Sequence, residues 1–260
     1  MNFIDIHGHY AWQIDDGIQS VEECKQALEI AKKNNIQTII ATPHLVGEVH
    51  YIEELKEIKD RIIELKNLGN QYDIEVLFGS EIMLNSDYMK LIQSQCLISF
   101  ENTDYLLCEF DVRKELGNED EVEDRLYELQ VAGYKPIIAH VERYFHKKID
   151  IERVENFIDM GYVIQVNTSS LMGEHGKMCK NNAWKLIEKG LCHVVATDTH
   201  RVKGTRQPNM LEAYQEIKKH YGEANANLLC IDNPRHIISN EDIEKMTVKQ
   251  SCFKRFLGGI

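Results

Sequence analysis

The sequence predicts an α/β fold of repeated βα units, a closed or nearly closed barrel of about seven parallel strands. Short apolar runs alternate with longer amphipathic stretches along the chain. Glycines stand where several of the amphipathic stretches must stop. Nearly every apolar run leads at once into a histidine or a carboxylate.

The apolar runs are Phe3-Ile6, Ile36-Ala41, Ile74-Phe78, Tyr105-Cys108, Pro136-Ala139, Tyr162-Val166 and His193-Ala196, each of strand length. Helical periodicity fills the gaps over Val21-Asn34, Tyr51-Leu68, Asp120-Ala132, Ile151-Met160 and Asn181-Glu188. Each is long enough to cross back over a sheet, which parallel pairing requires. Gly133, Gly161 and Gly190 fall at the expected helix ends, where a left-handed cap suits glycine. With about seven units and no Pro/Ser-rich linker, a closed parallel barrel is favoured over an open doubly wound sheet, which periodicity alone leaves open. The 260 residues, 43% of them hydrophobic, suffice for one sizeable core, so a single domain spanning 1–260 is expected. Residues from Gln207 onward read as helical, and about 248–260 as a loosely held tail.

Composition removes several function classes. The net charge of -12 and the lack of Lys/Arg clusters argue against nucleic acid as a partner. No apolar run is long enough to span a bilayer and the start, MNFIDIHGHY, has no signal character, so no membrane insertion and a cytoplasmic location are expected. The seven cysteines are odd in number, scattered and never spaced as CxxC, which suggests reduced thiols rather than disulfides or a thiolate zinc site. A Cys-x5-Arg phosphate loop is also absent.

The chemistry lies at the strand ends. FIDI runs into His7-Gly8-His9, TIIATP into His44, EVLFGS into Glu81, YLLC into Glu109, PIIA into His140, and VVAT into Asp198-Thr199-His200. In a βα barrel these ends converge on one face, where active sites form. Residues i and i+2 of a strand face the same side, so His7 with His9, and Asp198 with His200, can each address one centre. A lone His-x-His is more often hydrogen-bonded core. Burying Glu81, Glu109 and Asp198 together without compensating charge, however, would cost several kcal/mol each. A cluster of divalent cations removes that cost. Imidazole and carboxylate donors without thiolates suit Mn, Fe or Zn better than Ca or Mg. Asp15-Asp16-Gly17 reads equally well as a plain turn or as a further ligand source. Arg143, three residues past His140, and Arg206, six past His200, are placed to fork onto phosphate oxygens. His50, His146, His175, His193, His220 and His236 fall outside the strand-end pattern.

With DIHGHY, DDG, TIIATPH, GSEI, YLLCEF, PIIAHVERY, QVNTSSLMG, VVATDTH and IDNPRHII, the sequence resembles the PHP (polymerase and histidinol phosphatase) superfamily, and within it the bacterial tyrosine-protein phosphatases of the CpsB/YwqE type. The resemblance spans nearly the whole chain. It implies a distorted (β/α)7 barrel of the PHP type and a site for three metal ions, with Mn the first expectation. It puts His7, His9, Glu81 and Asp198 on one ion and Glu81, Glu109 and His140 on a second, with Glu81 bridging. Asp16, His44 and His200 take the third, so the resemblance selects Asp16 over Asp15. Arg143 and Arg206 match phosphate-binding positions. Three such ions would carry six positive charges against four from Asp16, Glu81, Glu109 and Asp198, an excess that attracts phosphate to an acidic protein. The implied reaction is hydrolysis of phosphotyrosine on a tyrosine autokinase of capsular or exopolysaccharide synthesis. His44 or His200 stands as the proton donor to the leaving tyrosinate. Leu45 after His44, and the loop VKGTRQP around Arg206, depart from the pattern and bear on substrate fit. The rival readings are a sister phosphatase acting on a small ester such as histidinol phosphate, and a catalytically silent metal-binding module.

Overall fold

The computed structural model describes residues 1–45, 51–84, 88–93, 97–116 and 121–247, without the side chains of 51–54. The expected tail at about 248–260, and with it Cys252, lies outside the described residues, as do His50 and Cys96. The described cysteines are free thiols, as expected.

The strands are β1 (Phe3–Gly8), β2 (Ile36–Ala41), β3 (His44–Leu45), β4 (Glu75–Phe78), β5 (Glu81–Met83), β6 (Tyr105–Glu109), β7 (Lys135–Ile138), β8 (Val163–Asn167) and β9 (Val194–Ala196). Every pairing among them is parallel. They form one sheet ordered β1-β2-β4 and another ordered β3-β5-β6-β7-β8-β9. The nine segments make seven barrel strands, because β2 and β3 are one strand broken at Thr42-Pro43, and β4 and β5 one strand broken at Gly79-Ser80. Pro43 has no N–H to give the ladder. The two broken strands stay joined across the gap, with Gly79 N–H donating to Ala41 O at 3.0 Å and Glu81 N–H to Pro43 O at 3.0 Å. The ring closes where Gly8 bridges Thr199 and Asp198 N–H donates to His7 O at 2.9 Å. The expected distorted seven-stranded barrel is what forms.

Helices cover the outside. Principal among them are α1 (Val21–Lys33), α2 (Tyr51–Asn70), α3 (Tyr88–Gln93), α4 (Val122–Val131), α5 (Ile151–Asp159), α6 (Thr168–Met172) and α7 (Gly176–Lys189). The last strand is followed by α8 (Met210–Tyr221), α9 (Glu223–Asn227) and α10 (Asn233–Ile238). Ser20 caps α1 by accepting from Glu23 N–H at 3.1 Å, and Glu22 and Glu23 lie in its first turn, where the helix dipole favours acids. Gly133, Gly161 and Gly190 have φ of 97°, 91° and 70°, the left-handed conformation expected of them. Helix α7 begins earlier than the expected Asn181. Lys177 and Lys180 carry no apolar signal there, and the start is set by the turn at Gly176, whose φ is 88°.

Two apolar layers result. Phe3, Leu106, Ile138, Ile164 and Val195 face the helices, whereas Ile4, Ile6, Ile40, Leu107, Ile137, Ala139, Val163, Val194 and Ala196 fill the barrel. Ile237 of α10 packs with the inner group. Strand alternation then dictates what lies above this plug: Ile40 leads to Thr42, Leu107 to Glu109, Val163 to Gln165 and Asn167, and Ala196 to Asp198. The barrel interior is apolar at one end and ionic at the other.

Candidate metal centre

All nine expected ligands meet at the C-terminal ends of the strands. Glu81, at the start of β5, is fully buried and central. Its Oε2 lies 3.2 Å from His7 Nε2, 3.1 Å from His9 Nε2 and 3.3 Å from His44 Nδ1, and its Oε1 lies 3.1 Å from His140 Nε2. Glu109 reaches His44 Nδ1 at 2.9 Å and His140 Nε2 at 3.7 Å. Asp198 Oδ1 is 3.4 Å from His7 Nε2 and 3.3 Å from His200 Nδ1. Asp16 Oδ1 stands 3.3 Å from His44 Nε2 and 3.4 Å from His200 Nε2. Donor atoms within 4.8 Å of one another include the sets His7, His9, Asp198; His7, Glu81, His140; and His44, Glu81, Glu109.

Local backbone irregularity aims several of these groups. The register of β1 against β2 shifts between Asp5 and Gly8, and His7 falls within that shift. Ile4 and Ile6 point into the barrel, so regular alternation would send His7 outward. His140 and Asp198 have φ of 32° and 54°, a left-handed conformation uncommon outside glycine. Nothing in their sequence neighbourhood signals it.

The donor set fits cations better than protons. Glu81 Oε2, Glu109 Oε1, His44 Nδ1 and His200 Nε2 are buried without a hydrogen-bond partner, although they crowd within a few ångströms of other donors. Buried polar atoms are rarely left so, and each costs about 1–3 kcal/mol. Burial, and next to it the charge of Glu81, raises the Glu109 carboxyl above its ordinary range. Burial works to lower the His7 imidazole, yet Glu81 and Asp198 lift it to about 9. His140 and His200 are driven by burial down to about 4. His140 and His200 are thus held neutral, while the crowded carboxylates draw His7, His9 and His44 toward the charged form, a demand for positive charge that divalent cations meet with the same nitrogens as donors. The thiol of Cys108 on β6 is buried and pushed well above its ordinary pKa, so sulfur does not compete as a donor.

Both aspartates of the Asp15-Asp16-Gly17 loop have work. Asp15, which the resemblance does not select, accepts from His9 Nδ1 at 2.7 Å, from His44 N–H at 2.9 Å and from Gly17 N–H at 2.8 Å. It therefore forms the turn and holds His9 with Nε2 toward the cage. Asp16 projects to His44 and His200 as the resemblance implied. Arg201, also unmarked in the sequence, fastens this loop to the last strand end. Its Nη1 donates to the carbonyls of Asp16 and His200 at 2.6 and 2.7 Å, and to that of Gly17.

The two expected arginines are both at Asp198. Arg206 Nη2 donates to Asp198 Oδ1 at 2.6 Å, and Arg143 Nη1 lies 3.6 Å from Oδ2. Arg143 arrives on the short 3-10 turn Val141–Tyr144 after β7. Arg206 is returned to the site by its own backbone, whose carbonyl accepts from His200 N–H at 2.9 Å. His193 stays apart from the cage, where its Nδ1 accepts from Ile164 N–H at 3.0 Å.

Comparison with known proteins places the chain in a family. A family model described as capsular polysaccharide synthesis, CpsB/CapC, matches residues 3–239. The tyrosine-protein phosphatase CpsB of Streptococcus pneumoniae is 31% identical over 245 residues, covering 92% of this chain and 99% of its own. YwqE of Bacillus subtilis, also a tyrosine-protein phosphatase, is 30% identical over 246 residues, covering 92% of this chain and 93% of its own. Among solved structures, one from work on YwqE and CpsB, described there as metal-dependent tyrosine phosphatases, superposes with a TM-score of 0.76 at 28% identity, covering 94% of this chain and 97% of that one.

Proposed function

Because the chain belongs to the CpsB/CapC family of capsular polysaccharide synthesis, we propose that it is a metal-dependent protein-tyrosine phosphatase of that machinery. The observation that carries the reading is the cage of imidazole and carboxylate donors around Glu81, with two guanidiniums at its edge. His7, His9, Glu81 and Asp198 are assigned to one divalent ion, Glu81, Glu109 and His140 to a second, and Asp16, His44 and His200 to a third. Manganese is the first expectation, and Fe or Zn suits the same donors. The chain works as one domain over 1–260. A tyrosine autokinase in the cytoplasm is the proposed partner, and among the described residues no helix is long and apolar enough to cross a membrane.

When bound, the ions supply Lewis acidity toward the phosphoryl oxygens and toward the attacking water. The chain's own groups do the rest. Arg143 and Arg206 bind the non-bridging phosphoryl oxygens and orient phosphorus for in-line attack. As the water oxygen bonds to phosphorus and releases a proton to solvent, the bond from phosphorus to the tyrosine oxygen breaks. The departing tyrosinate has a conjugate-acid pKa of about 10 and requires one proton. His44, with its side chain 22% exposed against 3% for His200, is the more accessible of these two imidazoles and would give that proton from the ring nitrogen not assigned to an ion. No cysteinyl intermediate takes part.

The test is hydrolysis of a phosphotyrosine peptide and of histidinol phosphate by chelator-treated, manganese-reloaded protein, beside His140→Ala and Arg206→Ala. Preferential turnover of the peptide, lost on chelation and cut in both variants, supports the reading. Preference for histidinol phosphate, or unchanged rates in both variants, overturns it.

A further inference from the structure

Strand β8 is the odd member of the ring, because it contributes no side chain to the donor sets. It nevertheless carries two amides into the ionic end of the barrel, Gln165 and Asn167, both with no exposed surface. Burying a carboxamide is unfavourable unless its donors and acceptor are used. Here they are. Gln165 Oε1 accepts from His140 N–H at 2.8 Å and lies 3.1 Å from His7 Nδ1. Gln165 Nε2 donates to Asn167 Oδ1 at 2.8 Å, and Asn167 Nδ2 donates to Asp198 Oδ2 at 2.7 Å.

The direction of every bond in this chain follows from one fixed donor. A backbone N–H can only donate, so His140 N–H requires the oxygen of Gln165 at that position. The Gln165 nitrogen must then face Asn167, which turns its oxygen toward Gln165 and its nitrogen toward Asp198. His7 Nδ1 meets an acceptor and must carry the hydrogen, so in the neutral, ligating ring it is Nε2 that offers its lone pair on the Glu81 side. Asp198 Oδ2 meets a donor and is the acceptor. One strand without a ligand thereby fixes the tautomer of His7, the backbone of His140 at its left-handed turn, and the carboxylate plane of Asp198.

We propose that Gln165 and Asn167 are positioning residues for the metal centre, a directional amide relay that presets three ligands from three other strands. The inference rests on the metal-dependent reading above. Outer hydrogen-bond partners of ligating histidines and carboxylates typically set affinity by about 10–100-fold.

The experiment measures Mn(II) binding by the full chain, with chelator competition for affinity, elemental analysis for ion count, and near-ultraviolet circular dichroism of the metal-free protein for its fold. Gln165→Leu and Asn167→Asp are each expected to bind Mn(II) about 10–100-fold more weakly than the parent while keeping its metal-free spectrum. Asn167→Asp keeps the volume but sets a second carboxylate against Asp198. Gln165→Glu keeps both acceptor contacts, to His7 and to His140 N–H, and is expected to regain at least five-fold over Gln165→Leu. Should Gln165→Leu fail to fold, the two isosteric variants decide. Folded variants with the parent's affinity and ion count would overturn the relay. A parent that binds no Mn(II) would instead overturn the metal reading itself, and the relay with it.

Discussion

Glu81 Oε2 lies 3.1 Å from His9 Nε2, and the same oxygen approaches His7 and His44 at 3.2 and 3.3 Å. One carboxylate oxygen surrounded by three imidazoles, with its second oxygen 3.1 Å from His140, suits the bridging role proposed for Glu81. Replacing Glu81 by Gln keeps the volume and removes the charge that the imidazoles share. Activity of Glu81→Gln on a phosphotyrosine peptide is expected to fall by about two to three orders of magnitude, with a lower bound-metal content. Paired rate and elemental measurements check this; an active variant with full metal content would remove Glu81 from the centre.

Arg143 and Arg206 should separate kinetically. The Arg206 guanidinium is joined to Asp198 at 2.6 Å, whereas Arg143 stands off at 3.6 Å and has more freedom to turn toward a phosphoryl group. Loss of a charge-assisted hydrogen bond costs about 1.5–3 kcal/mol, or roughly 10- to 150-fold. Arg143→Ala is expected to lose that factor in kcat/KM with metal content unchanged. Arg206→Ala is expected to lose metal as well, since Asp198 is then held by fewer partners. Arg206→Lys restores charge but not the fork, and should recover only part of the loss. Steady-state rates beside metal analysis distinguish the three.

The cage was legible because strand ends are legible: apolar runs stop visibly, and the residue that follows is named by the sequence. Glu81, Glu109 and His140 needed nothing more than that. The breaks at Thr42-Pro43 and Gly79-Ser80 were not legible as breaks, since TIIATPH and EVLFGSE read as single strands with polar ends. Spacing gives two adjacent aspartates the same claim and the resemblance selects Asp16 alone, so Asp15 was passed over; only the turn puts one behind His9 and the other before His44. Gln165 and Asn167 were invisible for another reason. Amides have no charge to be compensated, so their role appears only when the hydrogen-bond partners come from other strands.

Gly17 gives that turn a steric test. A Cβ built on it would stand 2.6 Å from the carbonyl oxygen of His9 and 2.3 Å from His9 Cβ, and a backbone oxygen cannot move aside as a side chain can. Gly17→Ala must therefore displace the loop that carries Asp15 and Asp16. The expected result is a destabilisation of about 1–3 kcal/mol, seen in chemical denaturation, together with weaker metal binding. A variant with the parent's stability and affinity would show that the loop adapts without moving either carboxylate.

His193 sets a prediction for acid stability away from the cage. Its Nδ1 accepts from Ile164 N–H, so the folded protein needs this nitrogen unprotonated, and its residue is 3% exposed. Burial, assisted by the charge of Lys245, lowers its pKa from 6.5 to about 4. Between these values the unfolded chain binds a proton that the folded one refuses. The stabilisation is therefore complete above about pH 6.5 and is lost as pH falls toward 4. The full difference is on the order of 3 kcal/mol. Urea denaturation of the metal-free protein at pH 7.0 and 5.0 (roughly either side of the unfolded pKa) should show a smaller loss of stability for His193→Gln than for the parent. Equal losses in the two proteins would mean that His193 does not contribute to the acid sensitivity of the fold.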